Sequence, residues 1–280
     1  MSAVDASVLI PATAAATPAP VADEGPTRWE RARKVVLPAL LLVAGLALWQ
    51  YVTATGKIDA LILASPAAIV SAFSTSGGEI LANMLVTLGE ALAGFAIGNT
   101  LGLLIAIAFV HSDLTRRTIY PLAIAAEAVP IVAIIPVLIL WLGNGMAPKI
   151  FIAVFLTFFP MLVNAYRGLR SADTDVKELL YTLSASPRQV LFMVRLPASV
   201  PFLFNALKLT ACTCVVSSIV AEWLASSEGL GFLITLYGAR YQIPEVWATA
   251  LTCTAMSLCV FGAVVVAERL AMPWRRTAST

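Results

Sequence analysis

Residues 173 to 201 read Asp-Thr-Asp-Val-Lys-Glu-Leu-Leu-Tyr-Thr-Leu-Ser-Ala-Ser-Pro-Arg-Gln-Val-Leu-Phe-Met-Val-Arg-Leu-Pro-Ala-Ser-Val-Pro, a charged and punctuated island between two long apolar segments. Two helix starts stand inside it. Asp175 is placed to cap a helix, with Glu178 three residues on reaching back to its amide. Ser186 and Gln189 repeat that reciprocal box, and Pro187 takes the first helical position, where a missing N–H costs nothing. Pro197 and Pro201 are expected to stop the second helix. The stretch reads as helix, break, helix, a shape suited to being gripped by a partner. The plainer reading is a surface hairpin in which Glu178 merely completes a cap.

The surroundings of the island set the class. The chain has 280 residues, 60% of them hydrophobic and only 12% charged, with mean hydropathy +0.89. That is more apolar surface than one soluble core needs, so an all-α integral membrane protein is expected. A bilayer span takes about 20 apolar residues, and six such stretches follow in order: 35 to 52, 81 to 110, 119 to 142, 150 to 166, 202 to 221 and 246 to 267. Residues 1 to 27 lack a basic start and a sustained apolar run, which predicts a disordered cytoplasmic tail rather than a signal peptide. Gly56 to Gly78 is expected to be an external connection with short amphipathic helices. Glu222 to Pro244 is expected to be an external loop.

Positive charge orients the spans. Arg28, Arg31, Arg33, Lys34, Arg116, Arg117, Arg167, Arg170, Lys177, Arg188, Arg195, Arg269, Arg275 and Arg276 fall on one side of this scheme, and Lys57, Lys149 and Arg240 on the other. The positive-inside tendency then puts both termini and the 173 to 201 stretch in the cytoplasm. Within the spans, Gly94, Gly98 and Gly102 recur every fourth residue and predict a close helix–helix seam. Pro130 and Pro136 are expected to break the third span. Lys208 is expected to snorkel to the cytoplasmic interface. The four cysteines, Cys212, Cys214, Cys253 and Cys259, all lie in apolar segments and read as packing residues.

Little here suits catalysis. The only histidine, His111, sits in a cytoplasmic turn, and no G-x-x-x-x-G-K-[ST] phosphate loop occurs, so ATP hydrolysis by this chain is not expected. A membrane-bound enzyme would lack a nucleophile, a metal cluster or a cofactor box. Carboxylates in or beside spans are functional candidates by default. Glu127, beside Pro130, reads as a pathway or gate residue or as a hydrogen-bond partner for freed backbone. Glu222 reads as a gate or docking residue or a solvated helix end, and Glu90 as a structural partner. Asn164 and Trp141 are further pathway candidates, although a Trp at such a position also serves as an interfacial anchor.

The order Glu178-Leu179-Leu180, Leu183-Ser184-Ala185, then Val194-Arg195-Leu196-Pro197 and Pro201 resembles the "EAA…G" loop of permease subunits of ABC importers. Leu179 and Leu180 stand where that family has paired alanines, and Ser184 stands for its glycine, which suggests that the break does not need positive φ. Pro136 to Trp141, Gly143, Gly145 and Lys149-Ile150 are similar to the "P-L-x-I-x-W-F-G-x-G…K" stretch of the nitrate, sulfonate, taurine and pyrimidine-precursor branch. Val220-Ala221-Glu222 with Gly229-Leu230-Gly231, and Thr87 to Ala91 with Gly94-Phe95, fit the same branch.

The resemblance implies a multi-pass bacterial plasma (inner) membrane permease, with a core over 81 to 270 preceded by a tail (1 to 34) and a first span with its connection (35 to 80), and followed by a tail (271 to 280). Its coupling loop would be 173 to 197, with ATPase contact carried by Glu178, Leu179, Leu180, Ser184, Ala185, Ser186 and Pro187. Implied partners are two ABC ATPase subunits, which would hold the ATP and Mg, a second permease copy, and an extracytoplasmic solute-binding protein. No cofactor belongs to the chain itself, and no nucleic acid is implied. The implied substrate is a pyrimidine or vitamin-precursor heterocycle, towards which Phe158-Phe159-Pro160 with Val163-Asn164 leans the reading, or a small organic anion such as sulfonate, taurine or nitrate. The alternative is an ion-coupled secondary transporter using Glu90 and Glu127.

Overall fold

The computed structural model describes residues 28–56, 58–59 and 61–273. The expected tail over 1 to 27, Lys57, Arg275 and Arg276 lie outside those residues. The regular structure among the described residues is entirely helical. The chain divides into two compact units, Met1–Leu48 and Trp49–Thr280. Helix α1 (Arg28–Ala54) begins in the first and ends in the second, and its Val36–Ala54 portion is long and apolar enough to cross a membrane.

Helix α2 (Pro66–His111) is a single helix of 46 residues, about 69 Å at 1.5 Å per residue, more than twice a bilayer's hydrocarbon thickness. This corrects the expected external connection, because from Pro66 onwards the chain is already α2. Ser65-Pro66 is a helix start rather than a turn: the Ser65 hydroxyl accepts from the Ala68 N–H and Pro66 follows at the first helical position. The predicted glycine seam lies against α5 (Met146–Arg170). A Cβ on Gly94 would meet Ala153, one on Gly98 would meet Thr157, and one on Gly102 would meet the Phe158 carbonyl and Met161. Only glycine permits backbones this close.

Helices α3 (Asp113–Glu127) and α4 (Ile131–Leu142) bend by 99° at the break beside Pro130. Pro136 does not add the second break expected of it; it stays inside α4. The described residues thus hold five helices long and apolar enough to span a membrane, or six if the bent pair counts as one.

After α5 come the short helices α6 (Thr174–Thr182) and α7 (Pro187–Val190), a π turn (Leu191–Arg195) and α8 (Leu196–Ala225). Pro197 and Pro201 therefore do not stop the second helix. The Leu196 N–H bonds five residues back to the Leu191 carbonyl, and this widened turn delivers Pro197 to the start of α8, where its missing N–H is tolerated. From Pro187 to Leu224 the chain is one apolar segment.

Helix α9 (Leu230–Ala239) buries Leu230, Leu233 and Tyr237 and leads to α10 (Ile243–Ala271), so the expected external loop over 222 to 244 is largely packed helix. Lys208 has a specific partner: its ammonium lies 2.9 Å from Glu268 Oε2 on α10.

Candidate functional site: the exposed hairpin and the buried carboxylates

Asp173, not Asp175, caps α6. Its side chain accepts from the Asp175 N–H at 3.0 Å, and Asp175 lies in the first turn, where a carboxylate favours the helix N-terminus. The expected Asp175 and Glu178 box is therefore absent. The sequence offered two acidic candidates two residues apart, and the earlier one won. The second box is present as read: the Ser186 amide donates to Gln189 Oε1 at 2.7 Å, and the Gln189 amide to Ser186 Oγ.

Between the boxes, α6 ends in a left-handed residue. Ser184 has φ +56°, the Ala185 N–H reaches the Leu180 carbonyl at 3.0 Å, and the Ser184 N–H reaches that of Tyr181 at 3.0 Å. This pair of bonds is the Schellman pattern. The expectation that a serine here excludes positive φ is thus overturned. The break needs that conformation whichever residue provides it, and Ser184 bears the strain.

No residue of α6 is buried. Leu179, Tyr181 and Leu183 are exposed at 59, 78 and 68%, and Phe192 and Met193 beyond the second box are uncovered as well. Glu178, Ser184, Ser186 and Pro187 are exposed, and Leu180 and Ala185 half-buried. The roots of the hairpin, by contrast, are fixed. Ala172, Val190 and Leu191 are buried, and a Cβ on Gly168 of α5 would meet Ser199 and Phe202 of α8. A rigid base carries an uncovered apolar tip.

The second constellation is buried and joins α2, α5, α8 and α9. Lys149 Nζ lies 2.6 Å from Glu90 Oε1, with the two side chains 5 and 0% exposed. Glu90 Oε2 has no hydrogen-bond partner among the described residues, and the Glu222 carboxyl is its neighbour. Glu222, 1% exposed, accepts from the Thr87 hydroxyl at 2.7 Å and from the Gly231 N–H at 2.8 Å. Thr87 in turn accepts from the Leu230 N–H at 2.9 Å, and Asn83 from the Gly229 N–H at 2.7 Å. Three successive amides at the start of α9, orphans in any helix, are thereby satisfied by side chains of α2 and α8. Gly229 has φ +98°, and a Cβ there would strike the Glu222 carboxylate. At the far end of α9 the Tyr237 hydroxyl donates to Glu79 at 2.8 Å; burial, together with that carboxylate, pushes the phenol up to about 12, so it remains a donor.

Glu222 is thus buried rather than solvated, and Glu90 is paired with Lys149. The other pathway candidates do not join this set. Asn164 donates to the Pro160 carbonyl of its own helix at 2.8 Å, Trp141 is 75% exposed, and Glu127 is exposed at the end of α3. Sequence reasoning placed Lys149 among the outside charges and in the family stretch but missed its pairing with Glu90, along with Asn83 and the role of Thr87. A lysine opening an apolar segment opposite a segment with a lone carboxylate was the available signal.

Helices of this length and apolarity, seamed by glycine and leaving one polar hairpin uncovered, define an all-α multi-pass membrane protein. The comparison with known proteins narrows the class. The chain belongs to the family described as binding-protein-dependent transport system inner membrane component, whose model matches residues 98–272. It is similar to the formylaminopyrimidine transport permease protein ThiX of Halalkalibacterium halodurans, 28% identical over 248 residues, 88% of this chain and 99% of that one. A probable ABC transporter permease protein of Haemophilus influenzae is 32% identical over 228 residues, 81% of this chain and 93% of that one. The putative aliphatic sulfonates transport permease protein SsuC of Bacillus subtilis is 28% identical over 255 residues, 90% and 91% of the two chains. The protein is an ABC importer permease of the sulfonate and pyrimidine branch, a multi-pass inner-membrane component of a transport system rather than its catalytic subunit.

Proposed function

We propose that the chain forms half of the translocation path of an ATP-driven importer, docks ATPase through the hairpin at 173 to 197, and receives its solute from an extracytoplasmic binding protein. In this reading six spans carry the path, α3 and α4 together making one, with both termini and the hairpin in the cytoplasm as the positive charges suggest. A second identical copy completes the path and two ATPase subunits complete the transporter. The permease core is taken as 81 to 270. The names of the similar proteins favour a pyrimidine-type heterocycle or a small organic anion as the solute, and they do not favour the ion-coupled alternative. Glu90, moreover, is engaged by Lys149 rather than open to an ion. Glu222, with Thr87 and the start of α9, is the candidate outer gate, while Glu127, Trp141 and Asn164 remain candidates along the path.

The observation that carries this reading is the uncovered apolar tip on the rigid base. Leu179, Tyr181 and Leu183 are exposed at one end of a nine-residue helix none of whose residues is buried. Apolar side chains grouped on a polar surface mark a protein contact, and a family of transport components supplies the partner's class. The test is co-purification of the ATPase with the tagged chain from mild detergent, followed by an ATPase assay of the eluate. The Leu179→Asp variant is expected to elute without the ATPase while keeping its own thermal unfolding midpoint. Undiminished co-elution and uptake by that variant would overturn the docking assignment.

A further inference from the structure

Where the hairpin leaves the bundle, a pocket of about 210 Å³ opens between α2, α3, α5 and the π turn. Its charged lining is Asp113, Arg116, Arg170 and Arg195, and its floor includes Phe109 and Tyr166. The single carboxylate is already taken: Asp113 holds Arg116 at 2.7 Å and Arg117 at 2.8 Å. Arg170 reaches only a neutral group, its Nη1 donating to the Tyr166 hydroxyl at 3.2 Å while the guanidinium lies 5.7 Å from the centre of that ring. Arg195, half-buried, makes no ion pair among the described residues. Three guanidiniums against one carboxylate leave the pocket two positive charges in excess, and among the described residues neither Arg170 nor Arg195 has an anionic partner.

The floor is preorganised. Phe109, Tyr120 and Tyr166 meet as a three-ring cluster with centroids 6.0 to 6.3 Å apart, which fixes the position of Tyr166 and hence of Arg170. Guanidinium forks suit a tetrahedral oxyanion that can be gripped from several sides. Basic pockets between helices on the cytoplasmic side of a membrane protein take phospholipid headgroups. On α3, which supplies one wall, Leu114 and Leu122 are exposed at 77 and 65%, a surface fit for acyl chains beside a headgroup.

We propose that this pocket binds a phosphate group, carried by an anionic phospholipid headgroup. Arg170 ends α5 and Arg195 ends the π turn, so the two unneutralised guanidiniums stand at the entry and exit of the hairpin, with Arg116 opposite on α3. A phosphate between them clasps both roots of the hairpin to the bundle. Binding belongs to the permease alone; its consequence for ATPase coupling rests on the function proposed above, and the experiment therefore omits the ATPase.

The full chain, purified in uncharged detergent, is titrated with short-chain phosphatidylglycerol and short-chain phosphatidylcholine by native mass spectrometry, and with labelled inorganic phosphate by equilibrium dialysis. Wild type is expected to retain phosphatidylglycerol in preference to phosphatidylcholine, whose choline cation would sit among the arginines. Affinity is expected to fall about tenfold for each guanidinium removed in Arg170→Gln and Arg195→Gln, whereas Arg195→Lys, which keeps the charge and loses the fork, falls less. Retention of inorganic phosphate but not of phosphatidylglycerol, lost in the same variants, would support the phosphate site and overturn its lipid source. Equal binding of every probe by wild type and by the doubly substituted chain, with both monodisperse and sharing one unfolding midpoint, would overturn the proposal.

Discussion

At the scale of single residues the most informative is Ser184. A non-glycine residue in the left-handed region costs about 1 to 2 kcal/mol, part of which glycine gives back as unfolded-state entropy. Ser184→Gly is therefore expected to stabilise the hairpin by about 1 kcal/mol, and the place to read it is hydrogen exchange of the Ala185 amide, whose bond to the Leu180 carbonyl should be protected several-fold more. Unchanged or faster exchange would mean that the turn is not held by this residue. Lys149 supports a second expectation. Removing one partner of a buried pair costs about 3 to 5 kcal/mol, whereas replacing both with apolar residues is often neutral. Lys149→Met alone should then unfold the protein at markedly lower temperature, and Lys149→Met with Glu90→Leu should recover most of the loss. Both residues are plain in the sequence; their pairing is not, because the two lie 59 positions apart and nothing between them carries a periodicity that sets α2 and α5 in register. The glycines at 94, 98 and 102 were legible for the opposite reason, since a four-residue repeat declares a face before its partner is known.

At the scale of elements, the sequence announced long apolar helices and misjudged where they stop. Ser65-Pro66 reads equally well as turn or helix start, and Pro197 as stop or second helical residue; which holds depends on the turn before it, and the π turn at Leu191–Arg195 leaves no local signature. Helix α9 was hidden inside an expected loop because its start is capped from other elements, by Asn83, Thr87 and Glu222, rather than by its own sequence. That helix offers a paired prediction. A methyl on Gly231 would collide with the Ile219 carbonyl and approach Trp223 N at 2.9 Å, while one on Gly238 would meet nothing within 4 Å. Gly231→Ala should cost roughly 1 to 3 kcal/mol through overpacking, and Gly238→Ala, in an exposed helical position, should gain about 0.5 to 1 kcal/mol. Thermal unfolding of the two variants in the same detergent should move in opposite directions, and movement in the same direction would count against the packing described for the start of α9.

At the scale of the whole molecule, the apolar segment from Pro187 to Leu224 links the two constellations. It starts inside the hairpin and, at about 1.5 Å per residue, carries Glu222 some 50 Å away at its other end. In the transporter proposed above, this segment is the route by which a push on the hairpin at one end would reach the polar lock on α9 at the other. Withdrawing the Glu222 carboxylate would leave the buried Gly231 N–H without its acceptor, at about 1 to 3 kcal/mol, while the Thr87 hydroxyl would keep only the longer bond of 3.2 Å to the Asn83 carbonyl. Substitutions at the two ends should therefore fail differently. Leu179→Asp should lose ATPase co-elution and uptake together. Glu222→Gln, which keeps one acceptor oxygen and replaces the other with a donor facing the Thr87 hydroxyl or the Gly231 N–H, should keep co-elution yet lower uptake severalfold. Measured side by side in membranes containing the binding protein and ATPase, equal uptake by Glu222→Gln and wild type would confine the lock to a structural role and leave the hairpin as the only end of α8 that transport depends on.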